Sequence, residues 1–224
     1  MKKILLTSAL VLSTMSFAQI DFSSTRFGIT AGGNYSGVKN AHNPSGKRFT
    51  VQGGVLALIP VGRENQFFIQ PELVYFGAGE TGKNKDSKGV DGYDAVYANN
   101  YLSLPISFKG YFSEAESEFF GLVGPRFNFL LSQNVKNVPI SRPYYDPNFA
   151  GGVADNPKLN GKASKFNFGV GIGVGYSYKR QLELTARYDF GLSNTYPGLN
   201  YEPKGSNKSK SEQVLSLSLS YIFE

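Results

Sequence analysis

The stretch that decides the fold is Lys165-Phe-Asn-Phe-Gly-Val-Gly-Ile-Gly-Val-Gly-Tyr-Ser-Tyr178, in which two kinds of residue alternate without a break. The even-numbered positions, from Phe166 to Tyr178, are all large and apolar. The odd-numbered positions hold Lys165, Asn167, Ser177 and four glycines. Because successive side chains of a β-strand point to opposite faces, this period of two predicts a strand with one bulky apolar face and one small polar face.

The same alternation predicts seven further strands. It is clear in residues 101–112, 182–192 and 215–223, and weaker in residues 26–35, 49–59, 67–77 and 119–132. The connections between these strands alternate in length: 60–66, 113–118 and 179–180 are short, whereas 36–48, 78–98, 133–164 and 194–210 are longer. Short and long connections therefore fall at opposite ends of the strand array, as in the membrane barrels of bacteria. The pattern predicts an all-β fold, an eight-stranded antiparallel up-and-down transmembrane β-barrel with short periplasmic turns and long extracellular loops.

The amino terminus has the three parts of an export signal. Lys2 and Lys3 precede the apolar run 4–12, and Ser16-Phe17-Ala18 supplies small residues where a signal peptidase reads them. We therefore expect residues 1–18 to be a signal peptide that is cleaved before Gln19, and residues 19–224 to form one barrel domain in the cell outer membrane. The chain has no cysteine, so disulfides cannot stabilise it.

The direction of the two faces distinguishes a membrane barrel from a soluble one. In a membrane barrel the apolar face meets lipid and the polar face lines the lumen. Three features favour this arrangement: the glycine-rich polar face, aromatic residues near the strand ends (Tyr111 among them), and polar-face charges of both signs, which can pair inside a narrow lumen. The predicted lumen network is Arg26, Glu72, Lys109, Arg126, Glu183, Arg187 and Asp189. Since an eight-stranded barrel is only wide enough for side chains to fill it, no open pore is expected.

One alternative reverses the faces. A soluble exported carrier similar to a lipocalin would turn the apolar residues inward around a small apolar ligand, and the charged residues would face water. The positions of Leu104, Ile106, Val170 and Ile172 distinguish the two architectures.

Three segments resemble a known family. The stretch Tyr101-Leu-Ser-Leu-Pro-Ile-Ser-Phe-Lys-Gly-Tyr-Phe112 resembles a strand of the small outer-membrane barrels of Bacteroidetes that are often called PorT-like. Residues 124–132 and 187–194 resemble the next strand and the penultimate strand of that family. The resemblance implies an outer-membrane barrel. The namesake of the family is linked to protein secretion, so the resemblance also raises an accessory role beside a secretion or envelope protein.

The sequence offers no recognisable catalytic, cofactor or metal site. His42 is the only histidine, and no partner for it can be identified. The acidic loop that contains Asp86 and Asp91 does not follow the spacing of a calcium-binding loop. We therefore expect a non-enzymatic protein with a structural, adhesive or accessory role and without a cofactor.

The long connections carry more Lys and Arg than Asp and Glu, which makes the loop-bearing end basic. Phosphates of lipopolysaccharide in the outer membrane would be natural partners for such lysines, although simple solubility explains the charge equally well. Nucleic acid is not an expected partner. The predicted lipopolysaccharide contacts are Lys39, Lys47, Arg48, Lys204, Lys208 and Lys210.

Overall fold

The computed structural model of the chain describes residues 22–41, 46–62, 65–81, 96–137, 160–201 and 208–223. Eight strands and one short 3₁₀ helix make up the regular structure of these residues. The strands are β1 (Arg26–Lys39), β2 (Gly46–Val61), β3 (Phe67–Thr81), β4 (Val96–Tyr111), β5 (Glu118–Lys136), β6 (Phe166–Tyr178), β7 (Leu182–Gly191) and β8 (Ser211–Ile222), and the 3₁₀ helix is Pro197–Tyr201. No helix within these residues is both long and apolar enough to cross a membrane.

The strands form one closed barrel in sequence order. Each strand pairs antiparallel with the next, and β8 closes the barrel by pairing with β1, for example through Gly28 and Ile222. Closure leaves no strand edge without hydrogen-bond partners, which a bilayer requires because its interior offers none. The three short connections lie at one end, which we call the turn end, and the four longer ones lie at the loop end. The predicted fold class is confirmed.

Several strands extend further towards the loop end than the sequence predicts. β3 continues to Thr81, β5 continues to Lys136, and β8 begins at Ser211. These extensions lack the apolar alternation, which is expected where a strand has left the hydrocarbon layer and its outward face no longer meets lipid. Residues that the sequence assigns to loops, such as Arg48 and Glu80, therefore belong to the barrel wall.

The apolar face of the barrel points outward. Ile172 is 53 % exposed and Leu104 is 36 % exposed, and both point away from the lumen. The same is true of other bulky residues of alternate positions, including Phe27, Ile29, Val55, Leu73, Phe108, Val174, Leu184, Leu217 and Leu219. This geometry does not favour the lipocalin-like carrier, in which these residues would surround an internal ligand.

The lumen is more aromatic than the sequence suggests. Its turn end holds a buried cluster around Phe68, Tyr111 and Phe120, and its middle holds a second cluster around Phe76 and Tyr101. Tyr111, which we expected at the membrane interface, is inside because it shares the inward parity of Lys109. A third cluster closes the loop end, where Tyr196 and Leu199 of the β7–β8 connection pack on Tyr97 of β4 and Val38 of β1.

Candidate functional site

Near the turn end, an ion pair crosses the lumen. The Lys109 ammonium of β4 lies 2.5 and 2.6 Å from the two carboxylate oxygens of Glu183 on β7, and the hydroxyl of Tyr111 donates a hydrogen bond of 2.6 Å to Glu183. The same ammonium lies 4.0 Å from the ring centre of Phe120. The charge of Lys109 is therefore compensated by a carboxylate and by an aromatic face in a space that excludes water.

Above this pair, four of the predicted residues form one chain of ionic contacts. Arg187 donates to Glu72 at 2.9 Å, and its Nε lies 3.7 Å from Asp189, which also pairs with Arg126. Gln70 donates to Glu72 at 3.0 Å, so this carboxylate has two donors. Alternating signs across β3, β5 and β7 keep the net charge of the buried group low, which reduces the cost of desolvation.

Arg126 is held on three sides. Its Nε donates to the Ser103 hydroxyl at 2.9 Å and to Asn128 at 3.1 Å, and its guanidinium carbon lies 4.1 Å from the ring centre of Phe76. The side chain is fully buried and fills the middle of the barrel.

The structure thus joins six of the seven predicted lumen residues in two ionic groups. The seventh, Arg26, is half-buried at the turn end. It lies 5.6 Å from the ring centre of Phe68 and donates to the backbone carbonyl of Arg180 at 3.4 Å.

The turn end carries a further ion pair that the sequence did not indicate. Arg180 of the β6–β7 turn pairs with Glu118, and it also donates to the backbone carbonyls of Asn65, Ser113 and Ala115. One side chain therefore ties the three short connections together. Arg180 was predicted only as part of a tight turn, and sequence gives no sign of contacts between separate turns.

A polar cluster near the loop end was also missed. Tyr101 donates to the Glu212 carboxylate at 3.2 Å, and Asn99 donates to the Tyr196 hydroxyl at 3.1 Å. Burial raises the pKa of the Tyr196 phenol well above its ordinary value, so this hydroxyl stays protonated. The sequence pattern does indicate Glu212, because it continues the inward parity of Ser216. It does not indicate Tyr196, which reaches the lumen only because the β7–β8 connection folds back towards the barrel.

The glycines of β6 make room for the charged side chains. A Cβ atom on Gly171 would lie 2.5 Å from a carboxylate oxygen of Asp189 and 3.4 Å from Cδ of Arg187. A Cβ atom on Gly175 would lie 2.5 Å from the backbone oxygen of Leu184 and would also collide with the Phe120 ring. The inward face of β6 therefore carries glycines because larger residues there would collide with their neighbours.

The loop-end surface differs from the prediction at two positions. Lys39, Lys47 and Lys208 are exposed as expected. Arg48 instead follows Lys47 on β2, so alternation turns its side chain inward, where it donates to the carbonyl of Ala78. The prediction of Lys210 as a surface contact is also wrong, because its side chain is fully buried beside β8.

The remaining predictions concern residues outside the described ranges. Lys204, His42, the acidic loop and the proposed signal peptide all fall outside them. Among the residues that the structure does describe, no group of three or more histidine, cysteine or acidic side chains is placed to hold a metal ion.

A closed eight-stranded barrel with an apolar outer wall and a charged, filled lumen is the architecture of small outer-membrane proteins. The chain belongs to the outer membrane protein beta-barrel domain family, whose family model matches residues 17–197. The protein is therefore an outer-membrane β-barrel. No curated protein matches it in sequence.

Solved outer-membrane proteins are similar to it in fold. OprG from Pseudomonas aeruginosa is 10% identical, with 89% of this chain and 96% of that chain covered at a TM-score of 0.47. Ail of Yersinia pestis, solved with the heparin analogue sucrose octasulfate, is 12% identical, with 89% and 99% covered at 0.45. Neisserial surface protein A is 12% identical, with 89% and 97% covered at 0.44.

Proposed function

We propose that this protein is a non-enzymatic outer-membrane barrel with a sealed lumen, which acts through its loop end in a structural, adhesive or accessory role. The observation that carries this proposal is the filling of the lumen. Fully buried Lys109, Arg126 and Tyr101 occupy successive levels of it, and the two charged side chains are paired with carboxylates. A solute can cross a barrel only through a continuous water-filled channel. This packing favours a lumen that is closed by side chains.

The loop-end rim is the surface that remains for contacts with the envelope. In the described ranges its exposed charged side chains are all lysines, namely Lys39, Lys47, Lys136, Lys162, Lys165 and Lys208. The acidic residues that the structure describes at the same end, Glu80 and Glu212, are buried. Exposed ammonium groups at this level favour the phosphates of lipopolysaccharide as a partner.

The experiment compares conductance and lipid binding in one preparation. The purified barrel is inserted into planar bilayers, and its binding to vesicles with and without lipopolysaccharide is measured at low and high salt. We expect no steady conductance, and binding that requires lipopolysaccharide and weakens as salt screens the lysines. A reproducible ohmic conductance would contradict the sealed lumen, and binding that is indifferent to lipopolysaccharide would contradict the basic rim.

An accessory role beside a secretion or envelope protein is the second form of this proposal. It is supported by the PorT-like resemblance of residues 101–112, 124–132 and 187–194. Mild detergent extraction followed by affinity purification of the tagged barrel distinguishes the two forms. A stable, stoichiometric partner supports the accessory role, and a barrel recovered with lipid alone supports the free-standing one.

Export through a cleaved signal peptide belongs to the same proposal. The order of basic, apolar and small residues in positions 2–18 supports cleavage before Gln19. Amino-terminal sequencing of the protein from outer membranes should begin at Gln19, and a start at Met1 would contradict it.

A further inference from the structure

We propose that an open groove on the outer wall at the loop end seats a phosphate and an acyl chain of lipid A, the membrane anchor of lipopolysaccharide. The groove lies across β2, β1, β8 and β7 and has a volume of about 470 Å³. This inference rests on the proposed function and deepens it, because it assigns the lipid to one sector of the rim.

A missing side chain creates the groove. Gly37 of β1 pairs with Gln213 of β8, which in turn pairs with Phe190 of β7. Across the other edge of β1, the first atom that a Cβ on Gly37 would meet is Cγ of Lys47, at 3.2 Å. Gly37 therefore forms the floor between a lysine stem on one side and the Gln213–Phe190 row on the other.

Two lysine side chains line the groove. Lys39 and Lys47 both line it and both are exposed, and no acidic residue is among its described lining. The Lys47 ammonium lies 5.1 Å from the ring centre of Tyr35, which holds it close to the wall. From the described lining, a bound anion would therefore meet two positive charges and no carboxylate, which fits a lipid phosphate.

The side of the groove nearer the turn end is aromatic and can contact hydrocarbon. Tyr188 and Phe190 form an edge-to-face pair with ring centres 4.6 Å apart, and the Tyr188 hydroxyl donates to Gln213 at 3.2 Å. Towards the turn end the wall continues through exposed Leu215 and Leu217. An acyl chain can follow this surface into the membrane while its phosphate stays at the lysines.

A second depression shows what ordinary lipid-facing surface looks like in this protein. It lies between β3 and β6 nearer the turn end and is lined by apolar residues such as Phe108, Val123 and Ile172, with no charged side chain among its described lining. The loop-end groove differs from it by the two lysines, so the head group, rather than the acyl chain alone, is what the site recognises.

The test measures lipid A binding to the purified full-length barrel in detergent at physiological salt. Bisphosphorylated lipid A is compared with the same lipid after removal of its phosphates, for the wild type, K39Q/K47Q and Gly37→Val. We expect the double variant to bind roughly tenfold more weakly, as for the loss of one charge-assisted hydrogen bond or more. Gly37→Val keeps both lysines and fills the groove, so we expect a comparable loss. The heat-modifiable gel shift of folded barrels verifies folding.

The matched control is K136Q/K165Q, which removes the same charge from the rim outside the groove. Lys136 and Lys165 belong to the basic rim and add to its general attraction for phosphate, so we expect a loss of up to about twofold. This loss should be clearly smaller than that of K39Q/K47Q, because charges beyond about 8 Å are largely screened at this salt. Equal losses in both double variants would overturn the groove while leaving the basic rim of the proposed function intact. No loss in either one would overturn both, and equal binding of the dephosphorylated lipid would overturn the phosphate assignment.

Discussion

Lys109 and Glu183 face each other inside the barrel with an ammonium-to-carboxylate distance of 2.5 Å, although 74 positions separate them in sequence. They stand on β4 and β7, which are not neighbours in the barrel wall, so the pair connects two sides of the lumen. Their side chains are 0 % and 2 % exposed. Each charge thus depends on the other, because water cannot replace a lost partner at this depth.

Removal of Glu183 alone should therefore be costly. Glu183→Ala leaves the Lys109 ammonium buried without its carboxylate, and we expect a loss of about 3 kcal/mol in the free energy of unfolding. Unfolding in urea, followed by tyrosine fluorescence or by the gel shift of the folded barrel in lipid vesicles, measures it.

The matched variant replaces both partners by apolar residues. K109M/E183L leaves no orphaned charge, and we expect it to recover most of the stability that Glu183→Ala loses. If Glu183→Ala were as stable as the wild type, the buried pair would not contribute as the geometry implies.

The orientation of the two strand faces can be tested with single cysteines, because the chain contains none of its own. Leu217 points outward and is 56% exposed, whereas Ser216 points inward and is 2% exposed. A spin label at position 217 should be accessible to oxygen dissolved in hydrocarbon, and a label at 216 should be shielded from both oxygen and a water-soluble nickel complex. The reverse pattern would place the apolar face inside.

The alternation of residues 165–178 was sufficient to predict the barrel class, because strand parity depends only on local backbone geometry. Charge on the inward parity was sufficient to select Lys109, Glu183 and Arg187, although not to pair them. The extension of β3 to Glu80 was not predictable in the same way, since its outward neighbours lack large apolar side chains and the apolar signal ends where lipid contact ends.

The glycines of β6 allow a steric test of the lumen. At Gly175 an added methyl group would meet the Phe120 ring and the carbonyl of Leu184, so we expect Gly175→Ala to lose about 2 kcal/mol by overpacking. The comparison is Gly121 of the adjacent strand, where a Cβ would first meet Phe112 at 3.6 Å. Gly121→Ala should be neutral or gain about 0.5 kcal/mol, because alanine loses less entropy in a strand. Equal effects of the two variants in urea unfolding would mean that lumen space does not select glycine here.

The position of Tyr196 shows where sequence reasoning stops. Its hydroxyl receives the hydrogen bond of Asn99 because the β7–β8 connection folds back into the barrel mouth. No period or motif in residues 194–201 signals this return, since it depends on the width of the closed barrel. The same limit applies to Arg48, whose inward direction follows only once β2 is known to begin at Gly46.

In the β6–β7 turn, the contribution of backbone conformation to stability can be measured separately from the contribution of side-chain contacts. Lys179 and Arg180 have φ angles of 51° and 53°, values that ordinary side chains disfavour and that a two-residue hairpin of this twist requires. Lys179 is exposed, so Lys179→Asn should gain about 0.5 kcal/mol by suiting the backbone better. Arg180→Gly also suits the backbone, yet it removes the pair with Glu118 and the hydrogen bonds donated to the two other short connections, so we expect a net loss of about 2 kcal/mol. Urea unfolding of both variants measures the difference, and a stabilised Arg180→Gly would mean that the contacts of Arg180 contribute less than the strain that they require.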